Sequence, residues 1–166
     1  MLIKKKKFKM KKPVLKISGL DVVSNSQNTS KTILSKLNLV VNKGDTLGIV
    51  GETGSGKTML GWSIINLLPG GCFLKNGDIK FNGKNTLEVK NLRGKNISMI
   101  FQDPMHSLNP TQTIEKQMTD IIKKWRIGEK NSTKDEIKKW IGKVQLNSVF
   151  DIMGRYPHQL SGGQIQ

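Results

Sequence analysis

Gly51-Glu-Thr-Gly-Ser-Gly-Lys-Thr58 matches the pattern G-x-x-x-x-G-K-[ST], with Gly51, Gly56, Lys57 and Thr58 in the fixed positions. Glycines at these places let the backbone curl so that successive N–H groups point inward toward phosphate oxygens. A helix beginning near Lys57 adds its positive end, Lys57 supplies a point charge for the outer phosphates, and the Thr58 hydroxyl can hold Mg²⁺. The flanks decide the reading. Upstream, Asp45-Thr-Leu-Gly-Ile-Val50 reads as a short buried strand. Downstream, Met59 to Leu68 reads as a helix stopped by Pro69-Gly70-Gly71. Strand, glycine loop and helix together predict a nucleoside triphosphate site rather than a flexible Gly/Ser linker with a chance lysine.

Outward from this loop, the chain has 166 residues, enough for one domain with its own core. A hydrophobic fraction of 36% and a mean hydropathy of -0.38 fit a soluble protein, and no apolar run is long enough to span a bilayer. Residues 1–12 are basic and lack an apolar core, so they do not read as a secretory signal. The single cysteine, Cys72, excludes an internal disulfide and fits a reducing compartment. Net charge is +16, from 28 Lys and Arg against 12 Asp and Glu, and arginine stands only at 93, 126 and 155. Such a balance can signal nucleic acid or an anionic membrane. Scarce arginine and 5% aromatics favour solvated lysines, and no nucleic-acid partner is expected.

Residues 1–13 read as a basic arm, with a lysine run at Lys4–Lys12. Val14–Ile17 and Asp21–Val23 form a strand kinked at Gly19, Ser24–Lys31 a polar tip, and Ile33–Val41 a second strand ending at the turn 42–45. Gly77–Phe81 and Ile97–Phe101 are further strand candidates, and Asn82-Gly83 is a turn between strands. Gln102–Pro110 holds two prolines and reads as a loop. Ile114, Met118, Ile121, Ile122 and Trp125 lie on one helical face. Thr133 and Glu136 predict a capping box for a second helix, with Ile137, Trp140, Ile141 and Val144 on its apolar face. Core packing is the preferred reading of both stripes.

Near the end of the chain stands Leu160-Ser-Gly-Gly-Gln164, where a serine hydroxyl and glycine amides can converge on an anion before a helix. Together with the phosphate loop, LSGGQ resembles the signature motif of the ATP-binding subunits of ABC transporters. Ile100-Phe-Gln-Asp-Pro104 resembles that family's Q-loop, with Gln102 in the glutamine position. MIFQDPMHSLNPTQTI, RYPHQLSGGQ and GIVGETGSGKT are similar to the wording of the oligopeptide/dipeptide/nickel importer branch. The resemblance covers about Val14 to Gln166.

The resemblance implies an α/β fold: a P-loop NTPase (RecA-like) core with an antiparallel β subdomain and a helical subdomain at about 111–156, within a nucleotide-binding domain at 14–166. It implies that Gly51, Glu52, Thr53, Gly54, Ser55, Gly56, Lys57 and Thr58 bind ATP, and that Thr58 and Gln102 serve Mg²⁺, with Gln102 near the attacking water. Leu160, Ser161, Gly162, Gly163 and Gln164 would close on ATP held by a second ATP-binding subunit, in a homo- or heterodimer. The implied partners are membrane permease subunits and, indirectly, a solute-binding protein; the implied place is the cytoplasmic face of the membrane, and the implied role is ATP-driven uptake of peptides or a similar solute. Two departures stand out. No aromatic residue occurs between Val14 and Val50 to stack an adenine near Ser24. The family's metal-holding Asp, catalytic Glu and switch His follow the signature, so the 166 residues are expected to be an incomplete domain, inactive alone; His106 and His158 precede the signature and cannot be that switch. A non-hydrolysing nucleotide-binding module and a soluble ABC ATPase acting on nucleic acid are the rival readings. A small-molecule kinase would use the loop but leaves LSGGQ without a role.

Overall fold

The computed structural model describes residues 12–26, 29–125, 132–144, 146 and 149–165. The chain separates into two compact units, Met1–Ser98 and Met99–Gln166. The basic arm before Lys12 and residues 27–28 of the polar tip lie outside the described residues, as does the side chain of His106.

In the first unit, β1 (Pro13–Ser26) lies between β2 (Thr29–Asn42) and β3 (Cys72–Phe81), and β4 (Lys84–Asn85) borders β3. All pairings are antiparallel. The inward set of β1 changes parity along the strand. Leu15 pairs with Val41 on one side and Phe81 on the other, and Ile17 with Leu39 and Ile79. Past Gly19, at φ 57, the inward residues become Leu20 and Val22. A strand has a side-chain period of two, so one extra residue is needed to keep both halves facing one core. The neighbours make the same correction at the same level: Lys36 of β2 has φ 45 and Gly77 of β3 has φ 91.

One side chain ties the three irregularities together. Asp21 accepts from the Lys36 N–H at 2.6 Å and from Asn76 Nδ2 at 2.9 Å, while Gly19 N–H donates to Asn38 Oδ1 at 2.8 Å. The hydrogen bond from Asn76, then that from Lys36, holds the Asp21 carboxyl below its ordinary value, with desolvation opposing. The kink expected at Gly19 is therefore part of a three-strand bend.

Ile17, Leu20, Val22, Leu34, Leu60 and Ile79 form the core of this unit. Each such side chain contributes roughly 1.5–3 kcal/mol when removed from water. Leu60 comes from α1 (Lys57–Ile64), which is shorter and starts earlier than the helix expected over 59–68. The backbone N–H of Ile65 still reaches Gly61, but Asn66 turns into the left-handed region at φ 53 and ends the helix. The Asn82-Gly83 turn joins β3 to β4 as expected, with both residues at positive φ.

Two expected strands do not form. Residues 45–50 carry no strand pairing, and Val50 is 98% exposed. Residues 97–101 contribute an isolated bridge from Ile97 to Arg93. Both segments have strand composition, but a buried strand exists only where neighbours complete its ladder and cover its faces. Among the described residues none pairs with 45–50, and 97–101 have only the bridge at Ile97.

The second unit is helical. It contains α2 (Ile114–Trp125), α3 (Thr133–Lys143), α4 (Val149–Met153) and α5 (Gly162–Ile165). Its core joins Ile122, Ile137, Ile141, Ile152, Met153 and Leu160. The two apolar stripes are only half used: Ile122, Ile137 and Ile141 are buried, while Ile121, Trp140 and Val144 are exposed. The cap of α3 is one residue earlier than expected. Ser132, not Thr133, accepts from the Asp135 N–H at 3.2 Å, and its hydroxyl donates to the Asp135 carboxylate at 2.6 Å. Glu136 is buried instead of closing a box on Thr133, and it takes the Lys139 ammonium at 3.3 Å. Among the described residues no helix is long and apolar enough to cross a membrane.

Candidate functional site

The stretch Gly51–Thr58 forms a loop entering α1. Ser55 N–H donates to Glu52 O at 3.1 Å and closes a turn through Thr53 and Gly54, the latter at φ 84. Gly56 caps α1 at φ 89 and ψ 7, a conformation open to glycine and strained for other residues. Gly56 also sits against β2. A Cβ there would lie 2.7 Å from Leu34 Cδ2 and 3.3 Å from Ile33 O. Gly51 is constrained by the loop itself, because its Cβ would meet Ser55 Oγ at 2.7 Å. The buried Leu34 and the Ile33 carbonyl thus form the floor that sets where the loop turns into the helix.

Lys57 folds its side chain back over this loop. Its ammonium donates to Gly51 O at 2.7 Å, Glu52 O at 2.6 Å and Ser55 Oγ at 3.3 Å. The charge is thereby held at the loop. Thr58, the second helical residue, is exposed.

The two long-enough helix starts with assigned caps are chemically opposite. The start of α3 is capped by Ser132 and carries Asp135 and Glu136 in its first turn. The start of α1 has no side-chain cap hydrogen bond and no acidic residue in its first turn. A helix start leaves backbone N–H groups without intrahelical partners and a partial positive charge. At α3 the protein supplies the anion. At α1 it supplies a lysine and leaves the N–H groups to something else.

Gln102 and the signature residues belong to the second unit. Gln102 is an exposed residue at a bend. Asp103 organises the loop after it: its carboxylate accepts from Met105 N–H at 3.1 Å and its carbonyl from Ser107 Oγ at 3.2 Å. Asn109 and Gln117 fix the far end, with Asn109 N–H donating to Gln117 Oε1 at 3.0 Å. The structure brings this stretch beside the signature helix. Ile100, Phe101, Pro104, Leu108 and Ile165 surround a cavity of about 290 Å³.

Leu160 is drawn into the helical core, while Ser161, Gly162 and Gly163 are exposed. Gln164 folds back so that its Oε1 accepts from Ser161 N–H at 3.0 Å. That is half of a capping box, and the spacing Ser-x-x-Gln announces it in the sequence. Gln164 holds the turn that presents Ser161 and the two glycines, a positioning role which the sequence reading did not assign. The backing of Gly56 by Ile33 and Leu34 had no local signal, since those residues lie more than twenty positions upstream.

The ABC transporter family profile matches residues 34–166, and the chain belongs to that family. The uncharacterized ABC transporter ATP-binding protein YejF of Escherichia coli is 37% identical over 163 residues, covering 95% of this chain and 31% of the relative. The probable D,D-dipeptide transport ATP-binding protein DdpD of E. coli is 34% identical, over 95% of this chain and 50% of the relative. The oligopeptide transport ATP-binding protein OppD of Bacillus subtilis is 35% identical, over 92% and 44%. The chain therefore spans a third to a half of the length of these relatives. Among solved structures, a dimeric ATP-binding cassette in a post-hydrolysis state bound to ADP and Pi superposes with a TM-score of 0.71 at 18% identity, over 91% of this chain and 65% of that one. A component of an ABC transporter complex from Clostridium perfringens gives 0.67 at 18% identity, over 93% and 58%. The fold is that of an ABC ATPase cassette, as the sequence motifs implied.

Proposed function

We propose that this chain is the ATP-engaging part of an ABC importer subunit that couples ATP binding and hydrolysis to uptake of oligopeptides, dipeptides or a similar solute. The observation that carries the reading is the start of α1: a glycine cap, no side-chain cap, no acidic residue in the first turn, and the Lys57 ammonium held at the loop. A triphosphate supplies the missing anion. Backbone N–H groups from Gly54 to Thr58 take phosphate oxygens, with Gly51 to Thr53 shaping the turn. Lys57 exchanges its bonds to Gly51 O and Glu52 O for the outer phosphates and neutralises charge that develops during transfer.

Among the described residues no group of three or more His, Cys, Asp or Glu could hold a metal ion. Mg²⁺ is commonly held by one or two protein oxygens together with nucleotide phosphates and water. The Thr58 hydroxyl, exposed beside Lys57, fits as one donor, and Gln102 takes the family's glutamine role. Bound with the nucleotide, Mg²⁺ supplies charge neutralisation at the phosphates. We assign Leu160 to Gln164 to the ATP of a second ATP-binding subunit, and the loop 102–110 to contact with membrane permease subunits. The protein then works peripherally at the cytoplasmic face, with residues 14–166 as its nucleotide-binding domain and about 111–156 as the helical part.

The relatives' printed roles in oligopeptide and D,D-dipeptide transport support this solute class. The test is ATP titration by calorimetry. A charge-assisted contact is worth about 1.5–3 kcal/mol, so Lys57→Ala should weaken binding roughly ten- to a hundred-fold. Equal affinity of variant and parent would remove the phosphate-loop assignment.

A further inference from the structure

The first unit carries a charge arrangement that nucleotide binding does not use. One row of side chains across the sheet runs Val40, Lys16, Lys80, Asn85. Its neighbours Leu39, Ile17 and Ile79 point into the core, so this row points away from it. Lys16 and Lys80 are directly opposite each other and exposed, and Val40 beside them is 54% exposed. Like charges facing across an antiparallel pair destabilise the sheet.

The same end of the sheet gathers more lysines. Lys12 precedes Pro13, which pairs with Asn42, and Lys43 follows Asn42. Lys84 stands at this end too, but in the inward row opposite Phe81, the partner of Leu15, and so is not part of the outward face. Among the described residues none of these five lysines forms an ion pair. Two acids lie nearby and accept hydrogen bonds from asparagines: Asp45 from the N–H and side chain of Asn42, and Asp78, one outward row further in, from Asn85 Nδ2. In the sequence, six more lysines stand between residues 4 and 11, directly before Lys12.

We propose that this sheet face, centred on Lys16 and Lys80, docks on an anionic lipid surface. Headgroup phosphates form a planar array of negative charge that relieves the opposed lysines, and the exposed Val40 meets the interfacial layer. The composition of the patch favours lipid over nucleic acid. It has no outward aromatic side chain to stack a base and no arginine to clamp a phosphate with two bonds. The inference stands apart from the phosphate loop.

Flotation of the 166-residue chain with vesicles tests it, because aggregates sink while lipid-bound protein rises. Phosphatidylcholine vesicles containing phosphatidylglycerol should carry the chain upward at low salt and release it as salt is raised. Vesicles of phosphatidylcholine alone should not. Each lysine near such a surface contributes roughly fivefold in partition, so Lys16→Gln with Lys80→Gln should reduce it about twenty-fivefold. Lys90→Gln with Lys95→Gln removes the same charge from exposed positions outside this face and should leave partition within about twofold of the parent. Lys16→Thr with Lys80→Thr, which keeps strand-favouring residues, should behave as the glutamine pair does while far-ultraviolet dichroism stays unchanged. Parent-like partition of the Lys16/Lys80 variants would overturn the proposal. So would an equal fall in the Lys90/Lys95 control, or stronger retention on single-stranded RNA than on the vesicles at equal phosphate concentration.

Discussion

Replacing Gly56 by alanine probes the join between the phosphate loop and the sheet. Two costs arise. At φ 89 and ψ 7 a side chain strains the backbone by about 1–2 kcal/mol. The new Cβ would also stand 2.7 Å from Leu34 Cδ2 and 3.3 Å from the Ile33 carbonyl. The Leu34 methyl could move, but Leu34 is 7% exposed and belongs to the core with Val22 and Leu60. The Ile33 oxygen is backbone and cannot yield. Overpacking of this kind costs about 1–3 kcal/mol. Gly56→Ala should therefore lose about 2–5 kcal/mol in all, either from the first unit or, if the loop shifts outward, from ATP affinity. Gly54 isolates the backbone part. Its φ is 84, yet a Cβ there meets nothing within 4 Å, so Gly54→Ala should lose only about 1–2 kcal/mol. Urea unfolding followed by amide exchange in β1, together with ATP titration, reads both variants. If Gly56→Ala and Gly54→Ala lose the same amount, the floor made by Ile33 and Leu34 is not what places the loop.

Three further outcomes follow from the same packing logic. Gly77→Ala puts a Cβ 2.5 Å from the Gly19 carbonyl oxygen, against backbone on the facing strand, and should lower the first unit's stability by roughly 3–5 kcal/mol in urea. Asp21→Asn should change the acid response. Because the folded carboxyl sits below its ordinary value, its contribution is present at neutral pH and is lost as pH falls below about 4, so urea midpoints of parent and variant should converge there and stay apart at pH 7. Ser132→Ala should weaken the start of α3 by about 0.5–2 kcal/mol in amide exchange, while Thr133→Ala leaves that cap intact.

Local patterns carried what the sequence could determine alone. The phosphate loop, the loop after Gln102 and the LSGGQ turn are each marked by nearby residues with special backbone freedom or capping chemistry, so their presence was legible one stretch at a time, though the floor that Ile33 and Leu34 put under Gly56 was not. The same holds for the amphipathic stripe of α2 and the Asn82-Gly83 turn. Tertiary structure decided what depends on distant partners. Residues 45–50 have the composition of a buried strand, yet with no ladder beside them among the described residues they stay unpaired and exposed. The cap of α3 fell to Ser132 because burial claimed Glu136, and only packing could tell these neighbours apart. The bend at Gly19 was readable as a kink, but not that Lys36 and Gly77 bend with it under one carboxylate, since a single strand carries no record of its neighbours' register. For the same reason the opposed pair of Lys16 and Lys80 is invisible in the chain: 64 positions separate residues that strand pairing sets face to face, and the repulsion between them exists only once the sheet has formed.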